Sequence, residues 1–277
     1  MIPTSTKTTI SISARPPANW QAVIVFVTEG AKPADGAAAA AVTGVTAGTA
    51  AARLIHAGAV SGKASEVVFD LLDKGGRVYV VGLGKQAKLT AEVLREAAAA
   101  VAKKLPKHKI SRASVVLPAV AAISLDVAAE AVVTGFLLAG FDFLECKGTA
   151  KKKDDDDKPA SLDVTIVAGN KAKELEEPVQ AARIIADAQN FARTIANRPG
   201  NEINPPSLAK IAQQMAREVK LKCTVMDEKQ LTKLKMGGIL AVGQGSIQTP
   251  PRMIVLEHVP SGNRKGKPPV LVVGKAI

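Results

Sequence analysis

The alternation of short β-branched runs with alanine-rich helical stretches constrains this chain more than any single motif. "WQAVIVFVTEG", beginning at Trp20, is a nearly continuous run of Val, Ile and Phe closed by Gly30, the pattern of a strand covered on both faces. Residues 37–56 follow as an alanine-rich helix in which Gly44 and Gly48 lower the propensity. "GGRVYVVGLGK" supplies a second strand, residues 77–81, opened and closed by glycines, and "LTAEVLREAAAAVAKKL" a strong helix over residues 90–105. The pattern continues with the strand "ASVVLPAV", a helix over residues 125–139 and the strand-like runs "FDFLECK" and "LDVTIVAG". Such alternation predicts an α/β sandwich around a mostly parallel sheet. Between the last two runs lies "KKKDDDDK", residues 151–158, which resembles a protease-recognition tag and reads as a solvated hairpin loop.

After Asn170 the texture changes. In "EPVQAARIIADAQNFARTIANRPGN", Ile184, Ile185, Ala188, Phe191, Ala192 and Ile195 form an apolar stripe of helical period. Pro178 suits a first turn, while Asn197, Pro199 and Gly200 stop the helix. A long helix before a proline-rich joint reads as an interdomain connector, and 277 residues suffice for two domains. Beyond it, Ser207 is placed to cap a helix in "PPSLAKIAQQMAREVK". "LKCTVMDE" and "PRMIVLEHV" read as strands, "KQLTKLKMGG" as a short helix ended by glycines, and the final "VLVVGKAI" as a strand carrying Lys275 to its tip. No internal repeat is visible.

Composition narrows the function classes. Aromatic residues make up only 3% of the chain, so the core must be built from Ala, Val, Leu and Ile, and a stacking platform for single-stranded nucleic acid is not visible. The net charge of +12 raises nucleic acid as a partner, yet the lysines are spread along the chain and read as a solvated basic surface. The two cysteines, Cys146 and Cys223, have no second Cys or His at metal-ligand spacing, which fits a reducing cytoplasm. The first residues lack the apolar core of a secretory signal, and residues 36–52 are too rich in Ala, Gly and Thr to span a bilayer.

The glycines offer a competing site. Gly82, Gly84 and Ala87 satisfy G-x-G-x-x-[GA] between a strand and a helix, where free backbone N–H groups hold a pyrophosphate in dinucleotide-binding folds. No Asp or Glu lies between Glu96 and Asp126 to take the ribose, so a plain strand-to-helix turn is the better reading. A second cluster, "LAVGQGSIQTPPR" over residues 240–252, fits either a close backbone approach to a ligand or a tight packing turn. His56, His108 and His258 share no zinc spacing, and Cys223 within a strand reads as a packing residue.

At "NRPGNEINPPSLAKIAQQM", "MGGILAVGQGS", "PPRMIVLEH" and "PVLVVGKAI" the sequence resembles the leucyl aminopeptidase family, the cytosol aminopeptidases of peptidase family M17. "VYVVGLGK" and "GFDFLECKGTAKKK" are similar to segments of that family's N-terminal domain. The resemblance implies an N-terminal macrodomain-like α/β sandwich over residues 1–172, followed over residues 173–277 by a connecting helix and the first part of an α/β metallopeptidase domain. It further implies a cytoplasmic hexamer, with no membrane attachment, that uses two divalent ions, manganese or zinc, to release N-terminal residues from peptides with a free N-terminus.

In the family the motif is similar to "VGK-x-[IV]-T-F-D-[ST]-G-G", and its first lysine, a metal ligand, matches Lys275. A lysine ligates only as the neutral amine; with an ordinary pKa of about 10.4, deprotonation at neutral pH costs about 4–5 kcal/mol, which metal binding has to offset. The resemblance places the family's catalytic residues and its other metal ligands beyond Ile277. This chain is therefore expected to be an N-terminal portion, inactive alone and not stably metal-loaded. The alternative expectation, of a different class, is a nucleic-acid or nucleotide-binding module built on the basic N-terminal domain.

Overall fold

The run with the most continuous β-branched character, "AVIVFV", lies in the interior of a six-stranded sheet. The structure, a computed structural model, describes residues 7–39, 45–72, 75–120, 122–146, 159, 161–259 and 268–275. Its strands are β1 (Thr8–Ser13), β2 (Ala22–Val27), β3 (Val67–Leu71), β4 (Arg77–Gly82), β5 (Arg112–Val116) and β6 (Leu162–Val167), in the order β1-β6-β5-β2-β4-β3. All neighbours are parallel except β3, which runs antiparallel along the β4 edge. Every residue of β2 is buried, because helices cover both faces. The mostly parallel α/β architecture expected from the alternation is what the chain adopts.

One face carries α1 (Pro33–Ala39) and α2 (Val45–His56), where Ala47, Ala50, Ala51 and Leu54 pack on Val23, Val25, Val78 and Val80. The single helix read over residues 37–56 is thus two helices, with residues 40–44 between them outside the described set. On the other face, α3 (Ala91–Ala102), α4 (Leu125–Ala139) and the first part of α5 (Glu176–Asn197) cover Ile24, Tyr79, Val115 and Ile166. Leu94, Val101 and Phe136 are fully buried there. Each such side chain contributes roughly 1.5–3 kcal/mol, so the core is strong despite its few rings. Thr90 caps α3 through its hydroxyl, which accepts from Val93 N at 3.3 Å.

Helix α5 inverts the stripe read from its sequence. Its buried positions are the small or polar Val179, Ala182, Ala186, Asn190 and Thr194, whereas Ile184 and Ile185 are 60% and 63% exposed. Hydrogen bonding explains the choice. The Asn190 amide donates to Leu137 O at 3.1 Å and the Arg193 guanidinium to Leu138 O at 3.0 Å, satisfying last-turn carbonyls of α4 that have no partner within their own helix. Arg193 also lies 4.0 Å from the ring centroid of Phe141. Phe141 belongs to "FDFLECK", which forms no strand: residues 141–144 are irregular and 145–146 turn, so one of its aromatic rings serves as a platform rather than in a ladder. "KKKDDDDK" lies outside the described residues.

The chain divides into two compact units, one within Thr4–Arg193 and one within Thr194–Ile277. The second holds α6 (Pro205–Glu218), β7 (Lys222–Met226), α7 (Glu228–Lys233), α8 (Gly237–Gly243) and β8 (Met253–Glu257). Asn204, not Ser207, is the N-cap of α6. Its side chain accepts from Ser207 N at 3.1 Å, while Ser207 Oγ, at the third helical position, accepts from Asn204 N at 2.9 Å. Gly237 and Gly238 open α8 instead of ending α7. Strands β7 and β8 pair antiparallel, and neither presents a fully buried residue. Residues 268–275 are exposed, have no regular secondary structure and join no ladder, so the described part of "VLVVGKAI" is not a strand. Val270 and Val272 are 92% and 90% exposed.

Candidate functional site

The glycine turn after β4 is resolved by following its N–H groups. Gly82 N donates to Glu66 O at 2.8 Å, Leu83 N to Val27 O at 2.8 Å and Gly84 N to Gly62 O at 2.8 Å. These three N–H groups of the turn are engaged by the protein's own carbonyls. The glycines are there for packing. A Cβ on Gly82 would sit 2.0 Å from Lys63 O and 2.6 Å from Gly62 C, and Gly84 takes φ +75°. The opposing loop is held by Glu66, whose carboxylate accepts from Ser61 N at 2.9 Å, Ser61 Oγ at 2.9 Å and Lys63 N at 3.2 Å. The second cluster is a packing turn as well, since a Cβ on Gly243 would meet the ring of Pro251 at 2.5–2.8 Å.

The most organised polar cluster lies at the opposite, N-terminal end of β4. Tyr79 Oη and His108 Nδ1 are 2.7 Å apart, and Arg77 Nη1 donates to His108 O at 2.6 Å. Phe69 of β3 covers the imidazole, its ring centroid 4.7 Å away. Burial raises the Tyr79 pKa despite the adjacent Arg77 guanidinium, so the phenol stays protonated beside the imidazole. His108 is lowered below the usual histidine value, first by burial and then by Arg77, Lys104 and Lys107. Sequence reading left His108 as a default histidine because its partners lie about 30 residues away on another strand. The cluster joins the β3–β4 edge to the turn before β5.

A histidine kept neutral by the fold makes stability depend on pH. Unfolded, His108 titrates near 6.5; folded, it takes its proton only at lower pH, so the unfolded state binds more protons between the two values. The contribution is present in full above about pH 6.5 and is lost as pH falls toward the folded value. Urea titrations between pH 7.5 and pH 5 are expected to show the midpoint dropping in the wild type and less so in His108→Gln. Equal slopes for the two proteins would refute the assignment.

Lys275, the metal donor implied by the motif, is exposed at the end of the irregular segment 268–275. Among the described residues no group of three or more His, Cys, Asp or Glu converges as a metal site. His56 and His258 are exposed, Cys146 is exposed and Cys223 half-buried. One amine without converging carboxylates does not hold a pair of divalent ions, so the donors described here do not fit a two-ion centre. Among the described residues no helix is long and apolar enough to cross a membrane.

The fold itself has solved counterparts. A tomato leucine aminopeptidase mutant superposes with a TM-score of 0.71 at 21% identity, over 90% of this chain and 50% of its own. The bottromycin maturation enzyme BotP in complex with Mn gives 0.69 at 24% identity, over 87% and 46%. These show an architecture shared with about half of each of those chains. Two family models then match in order: "Cytosol aminopeptidase family, N-terminal domain" at residues 24–149 and "Cytosol aminopeptidase family, catalytic domain" at residues 190–277.

The chain belongs to the cytosol aminopeptidase family. Among relatives, the probable cytosol aminopeptidase of Aquifex aeolicus is 38% identical over 72% of this chain and 38% of its own length. That of Bacillus subtilis is 33% identical over 81% of this chain and 45% of its own. The chain thus spans less than half the length of the curated relatives it matches.

Proposed function

We propose that these 277 residues are the N-terminal domain, the connecting helix and the opening part of the catalytic domain of a metal-dependent leucyl aminopeptidase, which hydrolyses the first peptide bond of peptides with a free N-terminus. The observation that carries this reading is the ordered pair of family matches, the second of which runs through "VLVVGK" to the last residue. The domain division at residue 172, a cytoplasmic location, peptide substrates and assembly into a hexamer belong to the same proposal. Lys275 is its one metal donor, and the two ions, manganese or zinc, need acidic partners besides it. When bound, such ions polarise a peptide carbonyl and lower the pKa of a bridging water.

What this chain contributes is scaffold: a sheet buried on both faces, a capped α6 and a second α/β unit that presents the motif. The nucleic-acid alternative gains no support. In the glycine turn the N–H groups of Gly82, Leu83 and Gly84 are already engaged, and the relatives named above are described as aminopeptidases.

The test is an assay with leucine p-nitroanilide and Mn²⁺. The 277-residue chain is expected to release no p-nitroaniline above buffer. A fusion joining it, at Lys275, to the corresponding remainder of the Bacillus subtilis relative is expected to be active. A soluble, folded fusion inert on a panel of N-terminal residues would overturn the proposal.

A further inference from the structure

We propose that the free edge of β1, together with the first turns of α5, is a strand-acceptor groove that binds an extended, net-neutral peptide carrying one basic and one acidic side chain. Among the described residues β1 ends the sheet and pairs only with β6. Lys7 O accepts from Leu162 N at 3.1 Å and Ser13 O from Ala168 N at 3.0 Å, so the odd-numbered positions aim their backbone groups at β6. Alternation along a strand then turns the N–H and C=O groups of Thr8, Ile10 and Ile12 the other way. Among the described residues nothing pairs with those outward groups. The strand itself, "TTISIS", has no proline or charge of the kind that blunts natural edges.

The edge lies beside α5. It forms one wall of a groove of 520 Å³ whose other wall is α5, with Glu176, Glu177, Val179 and Arg183 opposite Ile10 and Ile12. One wall offers a row of backbone donors and acceptors at strand spacing. The other offers two carboxylates and a guanidinium, with Val179 buried between them. Strand addition satisfies the first wall, because an extended peptide supplies complementary groups every second residue and sends alternate side chains to one side. Charge decides the occupant: a basic residue faces Glu176 and Glu177, an acidic one faces Arg183. A second copy of this chain is disfavoured by the +12 charge each carries.

The probe is the peptide acetyl-Lys-Val-Thr-Val-Thr-Val-Glu-amide, added to the ¹⁵N-labelled 277-residue chain. Saturating peptide is expected to slow amide exchange at Thr8, Ile10 and Ile12 by about tenfold or more, and to leave Thr9 and Ser11, already turned to β6, unchanged. Thr8→Pro with Ile12→Pro removes outward donors without touching the β6 ladder and is expected to abolish the effect. Glu176→Lys with Glu177→Lys, on the helix surface, is expected to weaken binding about tenfold while the sheet stays intact. No protection at millimolar peptide overturns the proposal, as does equal binding by the charge-reversed protein. Protection that grows with protein concentration in the absence of peptide would instead make the occupant a second copy, and the peptide proposal fails.

Discussion

Gly82→Ala is expected to cost the first unit about 3 kcal/mol, at the upper end of what overpacking does to a well-packed core. The added Cβ would lie 2.0 Å from Lys63 O and within 2.8 Å of two atoms of Gly62, and these are backbone atoms that no rotamer change can move aside. The loop they belong to is tied down by the three hydrogen bonds to Glu66, and Gly62 itself takes φ +78°. Either that loop detaches from the end of β4 or β4 shifts against β2, whose ladder with it runs from Ala22 to Val27. In urea the midpoint should fall by about 1–2 M, given an m-value of about 2 kcal/mol/M. Gly200→Ala, where a Cβ meets nothing within 4 Å, should stay within about 0.5 kcal/mol of wild type. ATP or NAD at millimolar concentration should leave the wild-type midpoint in place; an upward shift would reinstate the glycine turn as a phosphate site.

Legibility in the sequence followed burial. β4 and α4 could be read to within a residue, and β2 inside the run from Trp20 to Gly30, because both faces, or nearly the whole surface, of each are buried, and a continuous apolar run then has one structural meaning. β1 escaped notice because "TTISIS" on an edge has only Ile10 fully buried, and Thr and Ser fill the rest. β3 escaped for the same reason at the other edge, where Phe69 and Leu71 are 40% and 60% exposed. Two errors run the other way. "FDFLECK" and "VLVVGKAI" have strand propensity, yet propensity measures fit to a neighbouring strand, and among the described residues neither has one. The α5 stripe inverted because a period fixes which residues share a face, not which face is turned inward. Asn190 and Arg193 settle that by finding the carbonyls of α4.

The candidate site was legible only by likeness. A lysine at the tip of an apolar run is chemically mute: nothing in the spacing of residues 196–277 assembles three acidic or imidazole donors around it, and among the described residues the fold assembles none. Metal centres in α/β enzymes gather ligands from strand ends and loops far apart in sequence, so one motif reports one ligand. The aminopeptidase reading therefore rests on the ordered likeness of the whole chain, and the geometry adds the scaffold that would carry the motif.

Lys275→Arg, placed in the active fusion with the Bacillus subtilis remainder, is expected to lower kcat/KM by about a hundredfold or more, as much as Lys275→Ala does. The comparison separates two roles that a lysine can play. If the amine ligates, it must give up its proton and offer a lone pair; arginine keeps the positive charge and the reach but stays protonated and has no lone pair to offer. If Lys275 acts only as a positive charge, arginine should restore most of the activity that alanine removes. Metal content read by atomic absorption gives an independent measure: as a ligand, Lys275 is needed for full loading, and both variants should bind less than wild type. An arginine variant with near-normal kcat/KM and full metal content would remove Lys275 from the metal site while leaving family membership untouched, since that rests on residues 24–149 and 190–277 together.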